Sequence, residues 1–452
     1  MNHGITKDTR NKFDKDVAWS AFAMLVPIAI GLLALPLIFR NVGQQVFTLF
    51  LLSYGAINFA PSLDLGVART MQRRVAYAAP FHVETLGALV AHSLRRATIV
   101  AMAIAVFATI GAAILFPPQH DGVARIGLPL VTGLGVSLAI YANCQRGILE
   151  GLGAFSRSAL NRAAVGIMLV GAPVATSFFV RDATALSLAA LVVRIPFIWE
   201  QQRAIRSTVA GRVVGEDAER EDVISGFMRE SGWFALLSIL AVAMSGFDRY
   251  IMIGWGGLAG QTLTTFLATQ DLALRAIAVP AALLPALAVR LAASNGTAAA
   301  RPLARRLFLA IVPGVMLGCI GGALISPYIV HLLYPLLPVG EASAALRILF
   351  LGIAASAVAQ FPMARLVAAG RARDAALMHM GELVIYLACV PLAIGHLGAV
   401  GAAGLWSGRI LLDAALLTLW SGYSQKERLS MLQEGSAIIV GVAAILAIGL
   451  LA

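Results

Sequence analysis

FDRYIMIGWGGLAGQTLTTFLATQDLALR, residues 247–275, sets ionisable side chains inside an apolar run. Asp248 and Arg249 stand near the end of one apolar segment; Asp271 and Arg275 stand near the start of the next. A short Gly-rich turn, Gly254 to Gln261, separates them. Folded as a hairpin, the stretch brings Asp248 and Asp271 to similar depths, so all four groups are expected to meet at one level. Charge at membrane depth is costly. It normally faces a bundle interior or a water-filled cavity and pairs with other charge. The cluster therefore either pins two helices together or lines a polar path for a charged solute.

The composition gives this stretch its setting. Of 452 residues, 59% are hydrophobic and only 13% are charged. A soluble chain would carry about 25% charged residues. Crossing the hydrocarbon takes about 20 apolar residues per helix, and such runs follow one another from end to end. The expected class is an all-α polytopic membrane protein with 12–13 transmembrane helices. The first run, 17–39, is followed by no small-residue cleavage site and is expected to span rather than act as a signal peptide. Cys144, Cys319 and Cys389 lie far apart in apolar runs, with neither metal-ligand spacing nor a disulfide set. No catalytic group, metal or cofactor is expected.

Apolar segments fall at 17–39, 46–67, 94–116, 125–146, 159–180, 183–199, 231–256, 263–290, 306–333, 345–367, 376–397 and 399–421, with a thirteenth at 435–452 that spans or lies in the interface. Lys and Arg in the connecting loops set the orientation. With a cytoplasmic N-terminus, 26 of the 34 basic residues fall inside and 3 (Arg40, Arg125, Arg181) outside. The net charge of +11 is thus a fringe along one membrane face. That placement argues against nucleic acid as a partner. All outside loops are short, which leaves no room there for a catalytic domain.

The chain divides into a cytoplasmic tail 1–16, a first lobe of six helices over 17–199, a linker 200–230, a second lobe of six over 231–421, and a terminal piece 422–452. Lys15-Asp16-Val17-Ala18-Trp19 opens the first lobe, and Arg229-Glu230-Ser231-Gly232-Trp233 opens the second, 214 residues later. Such a pair fits a parallel repeat about an axis along the membrane normal, with substrate held between the halves. Prolines interrupt many segments and loosen their helices. Pro27, midway along the first, is the candidate hinge.

At this point the chain resembles a known family. Residues 41–75 carry Gly43, the triplet Asp64-Leu65-Gly66 and the basic cluster Arg69, Arg73, Arg74. They look like the second helix of the polysaccharide-unit flippases, within the multidrug/oligosaccharidyl-lipid/polysaccharide exporter superfamily. Residues 247–290, with Asp248-Arg249 and Pro285, look like that family's seventh and eighth helices. Residues 333–380 look like its tenth helix and following loop. One departure is Phe266, where the family often has Tyr.

The resemblance implies two six-helix lobes forming a V that opens to either side in turn. It implies transport of an undecaprenyl-diphosphate-linked oligosaccharide unit across a bacterial inner membrane for O-antigen, exopolysaccharide or capsule synthesis. Membrane lipids, the polysaccharide polymerase and the chain-length machinery would be its partners. Arginine's fork of donors suits phosphate oxygens. Arg249 and Arg275, with Arg40, are the candidates to hold the diphosphate, and Asp248 and Asp271 would orient them. Asp271 and Arg275 share a helix face. Asp64 and Arg69 are candidates for an inner gate, or for an interfacial cap with snorkelling arginines.

Other charged residues receive plainer readings. Arg409 and Asp413, four apart, are expected to pair structurally. Glu382 and Arg194 have no evident partner in sequence. His331, His379 and His396 lie near segment ends and are expected at the interface rather than as proton relays. The competing functions are a cation-coupled multidrug exporter, a peptidoglycan-precursor flippase, and a membrane glycosyltransferase or polymerase. The first commonly needs an acid in the first lobe, and 17–39 has none. The last needs a large outer loop.

Overall fold

The computed structural model describes residues 29–63, 83–116, 126–210, 247–281, 301–368 and 371–420, with isolated positions between 26 and 75 and between 236 and 244. Every regular element among them is helical. Two compact units divide the chain, Met1–Val242 and Ala243–Ala452.

The first unit contains α1 (Ala29–Val42), α2 (Gln44–Phe59), a 3₁₀ turn (Ala60–Leu63), α3 (Val83–Leu115), α4 (Gly127–Gly151), α5 (Phe155–Ser177), α6 (Ala183–Val192) and α7 (Arg194–Ala210). Gly43, at φ 79°, lets the chain turn between α1 and α2. Asp182 starts α6 by accepting a hydrogen bond from the Ala185 N–H at 3.0 Å. The break between α6 and α7 has a local cause. Pro196 has no N–H for the Val192 carbonyl four residues back, and the helix interrupts at Val193. Helix α7 then runs through the first residues of the expected linker. The core is α4 against its neighbours, with Met71, Val75, Leu89, Ile148, Leu149 and Ile205 closed together.

The second unit contains α8 (Asp248–Gly254), α9 (Gly260–Ala281), α10 (Arg301–Leu324), α11 (Ser326–Leu333), α12 (Val339–Ala368) and α13 (Ala372–Trp420). The single segment expected over 306–333 is two helices, bent by 69°. Pro327 sits in the first turn of α11, where a missing N–H costs nothing and the preceding helix cannot continue through it. Helix α13 is itself two limbs, 372–397 and 399–420, folded back at Gly398 with φ 54° and ψ −128°. The core of this unit joins Phe308, Val312, Leu349, Ile353, Phe361 and Trp406.

Among the described residues, six helices are long and apolar enough to cross a membrane, and a seventh if the bent pair counts as one span. Their outward faces are apolar. Helix α3 exposes Ile99, Met102, Val106, Phe107, Ile110 and Ile114, and α13 exposes Leu377, Met380, Val384, Ile385 and Leu392. Polar groups lie inside instead, Gln145, Asp248, Arg249, Gln270 and Glu382 among them. Apolar surface outside and polar groups inside suit lipid as solvent. The chain is an all-α, multi-pass membrane protein.

Candidate functional site

The turn 254–261 brings α8 and α9 together as the sequence suggests, but the four charges do not form one cluster. Asp248 and Arg249 open α8 and are 0% and 1% exposed. The partner of Asp248 on α9 is Gln270, whose Nε2 donates to Oδ2 at 2.7 Å. Asp271, one residue further on, points elsewhere. Consecutive helical residues are about 100° apart round the axis. Asp271 instead accepts from Arg275 Nε at 2.7 Å, with both side chains largely buried. Tyr334 lies within electrostatic reach of this second pair. The hairpin therefore carries two polar centres, Asp248–Gln270 and Asp271–Arg275. Gln270 is the member that charge counting missed; its only signal in the sequence is its place beside Asp271.

Asp248 faces a further set of groups. Arg409 and Tyr386, both on α13, lie within its electrostatic reach. Trp255, just past α8, donates from Nε1 to the Leu387 carbonyl at 3.0 Å and ties the turn to α13. Deeper along α13 the two limbs meet. His379 Nδ1 is 3.7 Å from Glu382 Oε2, and His379 Nε2 is 3.7 Å from Asp413 Oδ1. The donor atoms of these three side chains lie within 4.8 Å of one another, close enough to share a proton or a small cation.

This arrangement bears on three of the sequence readings. His379 is 6% exposed and stands between two acids. Glu382 has partners, one turn back and across the hairpin. Asp413 turns to His379 rather than pairing with Arg409, whose Nε is buried without a hydrogen-bond partner. The His379–Glu382 spacing of three, and Tyr386 four further on, mark one helix face. The fold-back at Gly398 that adds Asp413 has no comparable signal in sequence.

The remaining candidates lie in the first unit or outside the described residues. Arg40 is exposed at the end of α1, beside Asn41, which donates to Ser177 Oγ at 2.9 Å. Pro27 packs against Gly166 of α5, where a methyl group would come within 2.5 Å of the proline ring. Asp64 and Arg69, the inner-gate candidates, lie outside the described residues. Arg194 is 5% exposed at the start of α7, with its Nε unpartnered. The same unit holds an amide network: Gln202 Oε1 accepts from Gln145 Nε2 at 2.7 Å and from the Tyr141 hydroxyl at 3.3 Å. Gln201 Nε2 donates to Asn161 Oδ1 at 2.8 Å, and Asn161 Nδ2 donates to Glu200 Oε2 at 2.8 Å.

No family model matches the chain. Over 427 residues it is 23% identical to a Shigella flexneri protein described as "Putative O-antigen transporter", covering 89% of this chain and 96% of that one. Among solved structures, a MATE transporter of Vibrio cholerae superposes with TM-score 0.64 at 12% identity, covering 94% and 97% of the two chains. An inward-facing multidrug resistance MATE family transporter of the MOP superfamily gives 0.61 at 16%, covering 92% and 99%. The chain shares the fold of these structures. A MOP superfamily transporter from Pyrococcus furiosus, described for the reverse polarity of its binding pocket, shares it at TM-score 0.57 and 16% identity, over 92% and 96% of the two chains. Each of these relatives is a transporter rather than an enzyme.

Proposed function

We propose that the chain moves an undecaprenyl-diphosphate-linked oligosaccharide unit from the cytoplasmic to the periplasmic leaflet of a bacterial inner membrane. The N-terminus would lie in the cytoplasm, and the product would feed O-antigen, exopolysaccharide or capsule assembly. The observation that carries this reading is the alignment along nearly all of both chains with the Shigella flexneri relative. The chemistry of the second unit supports it. A diphosphate needs cationic donors, and Arg249 and Arg275 are buried or nearly so inside an otherwise apolar helical unit. Asp271 holds Arg275 in a charge-assisted bond that an incoming phosphate oxygen can replace. Arg40 is a further candidate donor for the diphosphate. Asp64 and Arg69 remain the candidate inner gate, and Pro27 the candidate hinge. The glycan polymerase and chain-length machinery would receive the product.

Moving a charge through the membrane potential is worth about 2.3 kcal/mol per 100 mV. An anion moving outward, toward the positive side, is helped by it.

Deletion of the gene in its own host tests the proposal. Loss of one surface polysaccharide, with its lipid-linked unit accumulating inside, is the expected result. The wild-type gene should restore export. Arg249→Ala and Arg275→Ala should not, at equal membrane levels. A second reading, multidrug export, is favoured by the fold shared with the multidrug MATE structures. Intact polysaccharides with altered drug sensitivity after deletion would put that reading first.

A further inference from the structure

One outward face of α6 and α7 passes from apolar to basic along its length. Together the two helices make one apolar span of 27 residues, Ala183–Val209. At steps of three and four, the spacing of one helix face, it carries Leu188, Val192, Ile195, Trp199, Arg203 and Arg206. All six side chains are exposed, Trp199 by 64%. The order matches a lipid read from tail to head. Leu188, Val192 and Ile195 suit acyl chains. Tryptophan favours the boundary between hydrocarbon and headgroups. The arginines follow one and two turns later. Trp199 also holds Arg203, whose guanidinium carbon lies 5.6 Å from the ring centroid, a cation–π distance. Arg203 and Arg206, three apart, stand side by side.

The acids at this end of the unit are engaged elsewhere. Glu200 accepts from Arg157 and from Asn161, each at 2.8 Å. Glu150 accepts from the Ser158 hydroxyl at 3.0 Å. In the second unit Arg371 shows the ordinary solution, an ion pair with Asp374 at 2.7 Å. Among the described residues, no carboxylate pairs with Arg203 or Arg206. Helix α3 adds to the positive excess. Its Gly87 meets the Val209 side chain, and Val90 and Ala97 share a core with Ala204 and Ile205 of α7. Exposed Arg95 and half-buried Arg96 lie on the stretch of α3 between Val90 and Ala97.

We infer that this end of the first unit, at α3 and α7, binds the headgroup of an acidic glycerophospholipid. Arg203 and Arg206 donate to the phosphate diester, and the chains lie along Ile195, Val192 and Leu188. Arginine's forked donors suit phosphate oxygens. A basic cluster beside a spanning helix attracts anionic leaflet lipid by about fivefold per charge. The bias of basic residues marks this end as the cytoplasmic one. A zwitterionic headgroup would bring its ammonium toward the same arginines. Free phosphate would leave the apolar column unused. The site is independent of what the chain transports.

Native mass spectrometry of the full-length protein, titrated in detergent with defined lipids, tests the site. Dioleoyl phosphatidylglycerol and dioleoyl phosphatidylcholine share their chains and differ in net charge. The wild type should retain the phosphatidylglycerol more tightly. Arg203→Gln and Arg206→Gln should each weaken that retention about fivefold and leave phosphatidylcholine unchanged. Trp199→Leu keeps an apolar side chain but removes the ring beside Arg203, and should weaken it less. Arg181→Gln, in the loop before α6 at the opposite end, should have no effect. Both rim arginines are exposed, so their variants should keep the parent Tm. Equal retention of the two lipids by the wild type overturns the site, whether water or the acids at 216–222 then satisfy the arginines. An equal loss in Arg181→Gln overturns it too, since any surface charge would then serve. Glycerol phosphate that competes as well as whole lipid would reduce the site to one for phosphate alone and overturn the lipid assignment.

Discussion

The two units bury polar side chains in different ways. In the first, α4, α5 and α7 are joined mainly by amides, Gln145 with Gln202 and Gln201 with Asn161. The bonded amide N–H₂ groups of Gln145, Gln201 and Asn161 each find an oxygen inside the unit, beside buried Arg194, whose Nε has no hydrogen-bond partner. In the second, Asp248, Glu382, Arg409 and Asp413 are charged residues in apolar surroundings, and several of their atoms lack hydrogen-bond partners. A network built mainly of neutral amides holds helices in one arrangement. An undersatisfied charged one is costly to bury, because an unpaired group in low dielectric loses its hydration without replacement. The contrast assigns scaffold work to the amides and chemistry to the charges.

The sharpest way to break this contrast is Asp248→Ala. It strands the Gln270 amide and removes the countercharge beside Arg249. Removing one partner from a buried charge set costs about 3–5 kcal/mol. The detergent-purified variant should show a drop in Tm larger than that of any single glycine, amide or surface-pair variant, and an unchanged Tm would end the comparison. Packing should not distinguish the units. Gly135→Val in the first would drive into Ile57, and Gly352→Val in the second into Trp406 and Ser407. Each should cost about 2 kcal/mol, read as similar Tm losses. Gln202→Leu removes the acceptor of Gln145 and Tyr141 and should cost about 1 kcal/mol. A loss as large as that of Asp248→Ala would make the amide network more than scaffold. Smallest is Arg157→Ala, which breaks the Arg157–Glu200 pair whose side chains are 47% and 39% exposed. Screened pairs of this kind are worth under about 1 kcal/mol, and its Tm should fall within error of the parent.

Much of the helical layout could be read from the sequence because lipid imposes it: every spanning run must be apolar and long. The bends were legible in hindsight at Pro196 and Pro327, where a missing N–H ends a helix. Pairing was less legible. The Asp271–Arg275 bond follows from a spacing of four and is present. The Asp248–Gln270 bond depends on the rotational setting of two helices, which a charge count cannot supply. The His379 site was hidden for a different reason. Its members are 34 residues apart at the extremes, and only the reversal at Gly398 joins them.

That reversal also bears on how the protein is made. The limb 372–397 carries His379 and Glu382 toward the bilayer, and the limb 399–420 carries Arg409 and Asp413. A lone ionised residue at mid-membrane costs about 2.5–3.5 kcal/mol for a helix entering by itself. Gly398 lets the limbs enter as a closed hairpin, with acid, base and imidazole already facing one another. A bulky residue there, at φ 54°, would force each limb to enter with its charges exposed to lipid. A Gly398→Val chain should therefore be cleared during synthesis, before any question of transport arises.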